Sequence, residues 1–270
     1  PPPPVSGYQI IIVAEENKNY SDVIGNSSAP FINSLVALGA TIPKYQGGLG
    51  SNSEPNYVAM VAGQTFGSSD TQRNLGTCAT PVISQLFDKA GISWKVIQDA
   101  DNNWRGGDHN GWLDLSAIAT QTGSGPAGYG PSSCPNSPAW FSHLKFSANL
   151  PADVIAEVKA GTQFIWVTPG DNLNMHDNSV SSGDSWLSTW LPQLLALPQF
   201  QPGGKGILML WWDENSNPPN MFIGPPIKAN YKATGTYSHY STLAFIESLL
   251  QLGNLGANDA SATPMLEILA

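Results

Sequence analysis

Charge is scarce in this chain. Asp, Glu, Lys and Arg make up 11% of its 270 residues, and 11 Lys and Arg face 20 Asp and Glu, for a net charge of −9. A sequence so poor in cations has no electrostatic footprint for nucleic acid or for an anionic membrane surface, so an acidic partner must be met by a local site. No apolar run is long enough to span a bilayer and the sequence contains no signal peptide, so the chain, opening on Pro1-Pro2-Pro3-Pro4, is expected to be a mature or trimmed form. Cysteine is nearly missing as well. Cys78 and Cys134 lie in Gly-, Ser-, Pro- and Thr-rich surroundings with no His or Cys at ligand spacing. This argues against a thiolate metal site and for a disulfide pinning a long loop in an exported protein, extracellular or periplasmic.

The length suits one large core, and a single domain over residues 1–270 is expected. Tyr8-Gln9-Ile10-Ile11-Ile12-Val13-Ala14 is a continuous β-branched run, the pattern of a strand buried on both faces. Further strands are expected over 92–98, 163–168, 206–212 and 221–223. Helices are expected over 30–38 (capped by Ser28), 81–90, 152–160, 185–197 (capped by Asp184) and 240–252, most of them stopped by Gly. The alternation predicts an α/β fold, a three-layer sandwich with a mostly parallel central sheet flanked by helices. Between 99 and 149 the periodicity disappears. That stretch, with Trp104, Trp112, Tyr129 and Trp140 scattered through it, reads as an irregular covering loop.

The chemistry-bearing residues cluster where strands stop. Glu16 and Asn17 follow the first strand, Asn174 and His176 follow 163–168, and Asp213-Glu214 follows 206–212. In a parallel sheet such ends converge on one edge. Ser53 stands where a Gly-rich loop enters an apolar helix, a position that exposes backbone N–H groups and suits an anion or an alkoxide. On its own Ser53 could equally be a helix cap, and Asp213-Glu214 a solvated turn.

Taken in order, seven stretches resemble the phosphoesterase family of the alkaline-phosphatase superfamily, which holds bacterial acid phosphatases and phospholipases C, with secreted mycobacterial-type acid phosphatases as the nearest group. They are Ile11-Ile12-Val13-Ala14-Glu15-Glu16-Asn17, Ala29-Pro30-Phe31-Ile32-Asn33-Ser34-Leu35, Ser53-Glu54-Pro55-Asn56-Tyr57, Asn174-Met175-His176-Asp177, Gly183-Asp184-Ser185-Trp186-Leu187, Trp212-Asp213-Glu214 and Ser238-His239-Tyr240. The resemblance implies that Ser53 is the nucleophile and that Glu16, Asn17, Ser53, Asp213 and Glu214 surround a metal. It also implies that His176 and His239 line the phosphate or leaving-group side, with Asn56, Asn17 and Asn174 on the substrate. The oxygen-rich set suits one hard divalent cation, Ca²⁺, Mg²⁺ or Mn²⁺.

The expected activity is hydrolysis of phosphomonoesters by a monomer through a phosphoserine. The substrate would be a small phosphate ester or a phospholipid head group. A phospholipase C, a sugar-binding or sugar-cleaving protein and a catalytically impaired binding protein are the alternatives. Departures from the family pattern are Ser51-Asn52, where relatives carry His-Pro, Asn174, where they carry Asp, and the loss of a Lys-His-x-Pro segment. His109 and His143 of the divergent stretch read as loop or surface histidines.

Overall fold

The computed structural model describes residues 7–50, 52–70, 73–100, 109–122 and 128–270. Residues 1–4, Ser51 and Trp104, which entered the sequence reading, lie outside them. In chain order the first half comprises β1 (Gln9–Glu15), α1 (Tyr20–Val23), α2 (Pro30–Val36), β2 (Gly39–Thr41), β3 (Tyr45–Gln46), α3 (Ser53–Ala62), α4 (Ile83–Ala90), β4 (Trp94–Asp99), α5 (Gly111–Asp114), β5 (Ala119–Gln121), β6 (Tyr129–Pro131) and α6 (Ser137–Phe141). There follow β7 (Leu144–Ser147), α7 (Leu150–Ala160), β8 (Phe164–Thr168), α8 (Val180–Leu195), β9 (Gly206–Trp212), β10 (Met221–Ile223), β11 (Tyr231–Lys232), β12 (Tyr237–Ser238) and α9 (His239–Leu249).

Eight strands form the central sheet in the order β11-β2-β10-β9-β1-β8-β4-β7. The run from β9 to β7 is parallel, and β10 is antiparallel to both of its neighbours. All seven residues of β1 are buried because helices cover both faces. Ile10, Ile12 and Ala14 pack with residues of α3, α4 and α9, while Ile11 and Val13 pack with residues of α2, α7 and α8. Each buried Ile or Val contributes about 1.5–3 kcal/mol relative to exposure. The expected three-layer α/β arrangement is therefore found, with its apolar runs in the middle layer.

Three local expectations change, the first being that Ala29 and not Ser28 stands at the cap position of α2. The 99–149 stretch is not irregular throughout: Leu144–Ser147 pairs in parallel with β4 and forms the edge of the sheet, and β5 and β6 form a hairpin. Trp112, Tyr129 and Trp140 are buried. Asp184 does not cap the helix it was assigned to. That helix starts at Val180 with Ser179 as its cap, and the Asp184 carboxylate instead accepts from the Phe31 and Ile32 N–H groups at 3.1 and 2.8 Å, capping α2 from across the layer. A disulfide joins Cys78 to Cys134.

Candidate active site

Register builds the centre of the site. β1 and β9 run side by side with Glu15 opposite Trp212, so the next residues, Glu16 and Asp213, leave adjacent strands about 5 Å apart on one face. It is the face covered by α3. Ser53, the first residue of α3, is not its cap, since Asn52 occupies that position. The Ser53 hydroxyl donates to Glu16 Oε2 at 3.4 Å, and Tyr57, one helical turn on, donates its hydroxyl to Glu16 Oε1. Ser53 is 4% exposed, and Glu16 and Asp213 are fully buried.

The carboxylates have too few donors. Asn17, turned into the left-handed region at φ 54°, offers its N–H to Asp213 Oδ1 at 3.5 Å. Asp213 Oδ2 and Asn17 Oδ1 are buried with no hydrogen-bond donor among the described residues. Burial, then the neighbouring Asp213 charge, pushes Glu16 well above the usual carboxylate range, and burial also raises Asp213. Burial, with Asp213 and Asp70, pushes Glu214 up to about 7. Adjacent buried acids, one of them with an unpartnered oxygen, need a proton or a cation between them. Two carboxylates, an amide oxygen and a hydroxyl are hard donors, so the residues present fit Ca²⁺, Mg²⁺ or Mn²⁺. Lys18, whose Nζ donates to the Met175 carbonyl at 2.8 Å, adds positive charge nearby and is itself lowered by burial.

The histidines do not fall where expected. His239 is fully buried at the start of α9. Trp211 Nε1–H donates to its Nδ1 at 3.0 Å, so its Nε2–H donates to the Asp213 carbonyl. Burial holds it down at about 3. A neutral imidazole with both nitrogens engaged cannot protonate a leaving group, and the expected role for His239 gives way to that of a brace on the Asp213 backbone. His176 is half-buried at the rim, its Nδ1 2.6 Å from Asp177 Oδ1.

His109, expected at a surface or in a loop, is 1% exposed. Its Nδ1 lies 2.9 Å from Asp171 Oδ1 and its Nε2 3.7 Å from Glu16 Oε1. It stacks on Tyr57 and faces His176 at 5.0 Å between ring centroids. Gly111 makes this possible: a Cβ there would lie 2.5 Å from the Tyr57 carbonyl oxygen, so only glycine lets the chain after His109 approach α3 so closely. His143 stacks on Trp94 away from the site, with ring centroids 4.2 Å apart. Ligand atoms of Asp171, His176 and Asp177 lie within 4.8 Å of one another and form a second group able to hold a cation.

Two of the three asparagines expected on the substrate, Asn56 and Asn174, turn inward. Asn56 accepts from the Leu49 N–H at 2.8 Å and donates to the Asn52 carbonyl at 3.1 Å, tying the Gly-rich loop to α3. Asn174 accepts from the His176 N–H at 2.9 Å and donates to the Pro169 carbonyl at 3.4 Å. The helix start is also less open than expected, since Glu54 N–H donates to Asp70 Oδ1 at 3.0 Å and Pro55 has no N–H. Tyr57 was missed, although its spacing from Ser53 places both on one helix face. His109 carried no signal, because nothing in its irregular stretch pointed to the sheet edge.

Comparison with known proteins adds to this geometry. The sequence profile described as the Phosphoesterase family matches residues 24–218. The chain is 29% identical over 273 residues to a phosphatidylinositol-3-phosphatase of Mycobacterium tuberculosis, covering 96% of this chain and 82% of that protein. It is 26% identical over 277 residues to a probable acid phosphatase of Kluyveromyces lactis, covering 97% of this chain but only 62% of that protein, under two thirds of its length. Among solved structures, a protein in the alkaline phosphatase superfamily from Vibrio parahaemolyticus aligns with a TM-score of 0.59 at 13% identity, over 94% of this chain and 71% of that one. That likeness concerns the fold alone.

Proposed function

The chain belongs to the Phosphoesterase family, and on that premise we propose that this phosphoric ester hydrolase cleaves phosphomonoesters through a phosphoserine formed on Ser53. One observation carries the reading: the Ser53 hydroxyl, at the first residue of a ten-residue helix, points at Glu16 beside Asp213. The names of the relatives, a phosphatidylinositol-3-phosphatase and acid phosphatases, support phosphate ester hydrolysis.

Ser53 Oγ attacks phosphorus while its proton passes toward Glu16 Oε2. Glu16, Asn17, Ser53 and Asp213, with Glu214 at the rim, would hold one divalent cation. When bound, that cation polarises the phosphate oxygens and lowers the pKa of the Ser53 hydroxyl. As the ester P–O bond breaks, His176, held by Asp177, protonates the departing oxygen, and water later cleaves the phosphoserine. His109 bridges Glu16 to Asp171 and orients the carboxylate.

A phosphomonoester, either a small molecule or the phosphate of a lipid head group, suits the site better than a diacylglycerol leaving group. Trp112, Tyr129 and Trp140, the described aromatics of the 99–149 stretch, are buried and so do not offer a lipid groove. The Cys78–Cys134 link favours an oxidising, exported setting.

The test is parallel turnover of p-nitrophenyl phosphate and phosphatidylcholine by wild type and Ser53→Ala. Wild type should hydrolyse the first only, and Ser53→Ala should lose at least ~10³-fold in kcat/KM while staying folded. Turnover of phosphatidylcholine alone, or full activity without the Ser53 hydroxyl, would overturn the reading.

A further inference from the structure

The start of α3 already holds an anion of the protein's own. Of the first three residues of that helix, only Ser53 and Glu54 carry an N–H, because Pro55 has none. The Glu54 N–H is taken, since it donates to Asp70 Oδ1 at 3.0 Å. A carboxylate therefore sits at the positive end of the helix, one residue along from the Ser53 hydroxyl, where an oxygen of a phosphoryl group on Ser53 would seek the same donor.

The chain is arranged to keep it there. α3 is ten residues long and ends at Gly63, turned to φ 66°, so its axis covers about 15 Å. Residues 64–70 return over that length to bring Asp70 back to the first turn, with Phe66 packed against the core on the way. Arg73 then fixes both partners: its Nη1 donates to the Asp70 carbonyl at 3.0 Å and to Glu54 Oε2 at 2.6 Å. The charge of Asp70 is also felt across the site, where, after burial and Asp213, it helps push Glu214 up. Asp184 shows what a purely structural counterpart looks like. It uses both oxygens on the Phe31 and Ile32 N–H groups of α2, which packs on the opposite face of the sheet from α3.

A phosphate entering beside Ser53 competes with Asp70 for the Glu54 N–H and is repelled by its charge. Whether the carboxylate is displaced or stays, the site holds the phosphate group less tightly than the helix start alone would. An ester has its alcohol portion as a further handle; inorganic phosphate has none. Resting on the Ser53 reading, we propose that Asp70 is a specificity-determining residue that occupies the phosphate seat with its own carboxylate and weakens the hold on inorganic phosphate, so that the product leaves after each turnover.

The test measures inorganic phosphate binding to the full chain in Mg²⁺, by titration calorimetry and as the competitive inhibition constant against p-nitrophenyl phosphate. Wild type is compared with Asp70→Asn, Asp70→Ala and the control Asp184→Asn. Asparagine keeps an acceptor for the Glu54 N–H and removes only the charge, so the fold is held; alanine also frees the N–H. Phosphate should bind about three- to fivefold more tightly to Asp70→Asn and about tenfold or more to Asp70→Ala. Asp184→Asn should stay within about twofold of wild type. A carboxylate that merely caps α3 would lower Tm on removal without tightening phosphate, and unchanged or weaker phosphate binding in both Asp70 variants overturns the proposal. If that result comes with Ser53→Ala inactive, this inference falls and the Ser53 reading stands. If Ser53→Ala stays fully active while Asp70→Ala binds phosphate more tightly, Asp70 is supported on the anion seat and the nucleophile assignment fails.

Discussion

Two carboxylate environments in this molecule are opposites. Near the C-terminus, Glu267 accepts from the Thr234 and Gly235 N–H groups, the Thr234 hydroxyl and the hydroxyls of Tyr231 and Tyr237, all between 2.7 and 3.2 Å. Although partial desolvation would raise it, the Gly235, Tyr237, Tyr231 and Thr234 hydrogen bonds hold it down to about 2. At the sheet edge, Glu16 and Asp213 are deeper and side by side, Glu16 with two hydroxyl donors and Asp213 with one oxygen that has none, and both are pushed up. A saturated carboxylate is finished, and its role is to hold two segments together. A pair with too few donors is stable only with a further positive partner, and that unmet demand is the physical basis for assigning a cation to the Ser53 side.

The contrast should appear most strongly when each carboxylate is neutralised. Asp213→Asn removes a proposed ligand together with a repulsion, so kcat/KM on p-nitrophenyl phosphate should fall by about 10³ or more while the Tm of the metal-free protein holds or rises. Glu267→Ala should do the reverse, lowering Tm by roughly 4–8 °C with kcat/KM within about threefold of wild type. Steady-state kinetics and thermal melts on the same preparations check both. Equal loss of stability in the two variants would erase the distinction.

How much of this was legible in sequence depends on distance along the chain. Continuous apolar runs such as 10–14 and 207–212 marked buried strands, and the acids that end them marked the edge where they converge. The seven-residue register between β1 and β9 then turns Glu16 and Asp213 from candidates into neighbours. β7 stayed hidden because it is four residues long and mostly half-exposed or exposed, with no apolar run to announce it. His239 was visible as a residue but not in its role. Only the folded chain puts Trp211 and Tyr45 against its Nδ1. His109 was illegible for the opposite reason, since its place follows from the close approach of Gly111 to α3, which no local pattern encodes.

The next effect is smaller and differs in sign between the regions. Glu267 has a folded pKa near 2, below the unfolded value of about 4.5. Its contribution is therefore full above pH ~4.5 and lost as pH falls toward 2. Glu214 is raised to about 7, so the folded metal-free protein binds more protons there than the unfolded chain between pH ~4.5 and 7, and that contribution declines as pH rises. His239, lowered to about 3, works against this trend below pH ~6.5, so the comparison is made by difference. Denaturant unfolding in a chelator should show that Glu214→Gln flattens the decline between pH 4.5 and 7. Glu267→Gln should flatten only the loss below pH 4.5. If each variant altered the other's window, the assignment of the two environments would be wrong.

The smallest effect is the most discriminating, because the same atom is removed on each side. Tyr57→Phe and Tyr237→Phe both delete one phenolic donor to a carboxylate, and each should cost about 1–2 kcal/mol in the metal-free protein. Phe keeps the ring of residue 57 against Trp166 and Trp211, so packing is little changed. At Glu267, four other donating groups remain and there is no demand for a cation, so adding Ca²⁺ or Mn²⁺ should recover none of the loss. At Glu16, the missing hydroxyl exposes one more oxygen to the place a cation would occupy, and the ion should recover most of it. The cation-induced rise in Tm should thus be larger than wild type by roughly 2–6 °C in Tyr57→Phe and unchanged in Tyr237→Phe. If the two tyrosine variants responded to the cation alike, the donor shortage at the sheet edge would no longer account for metal binding there.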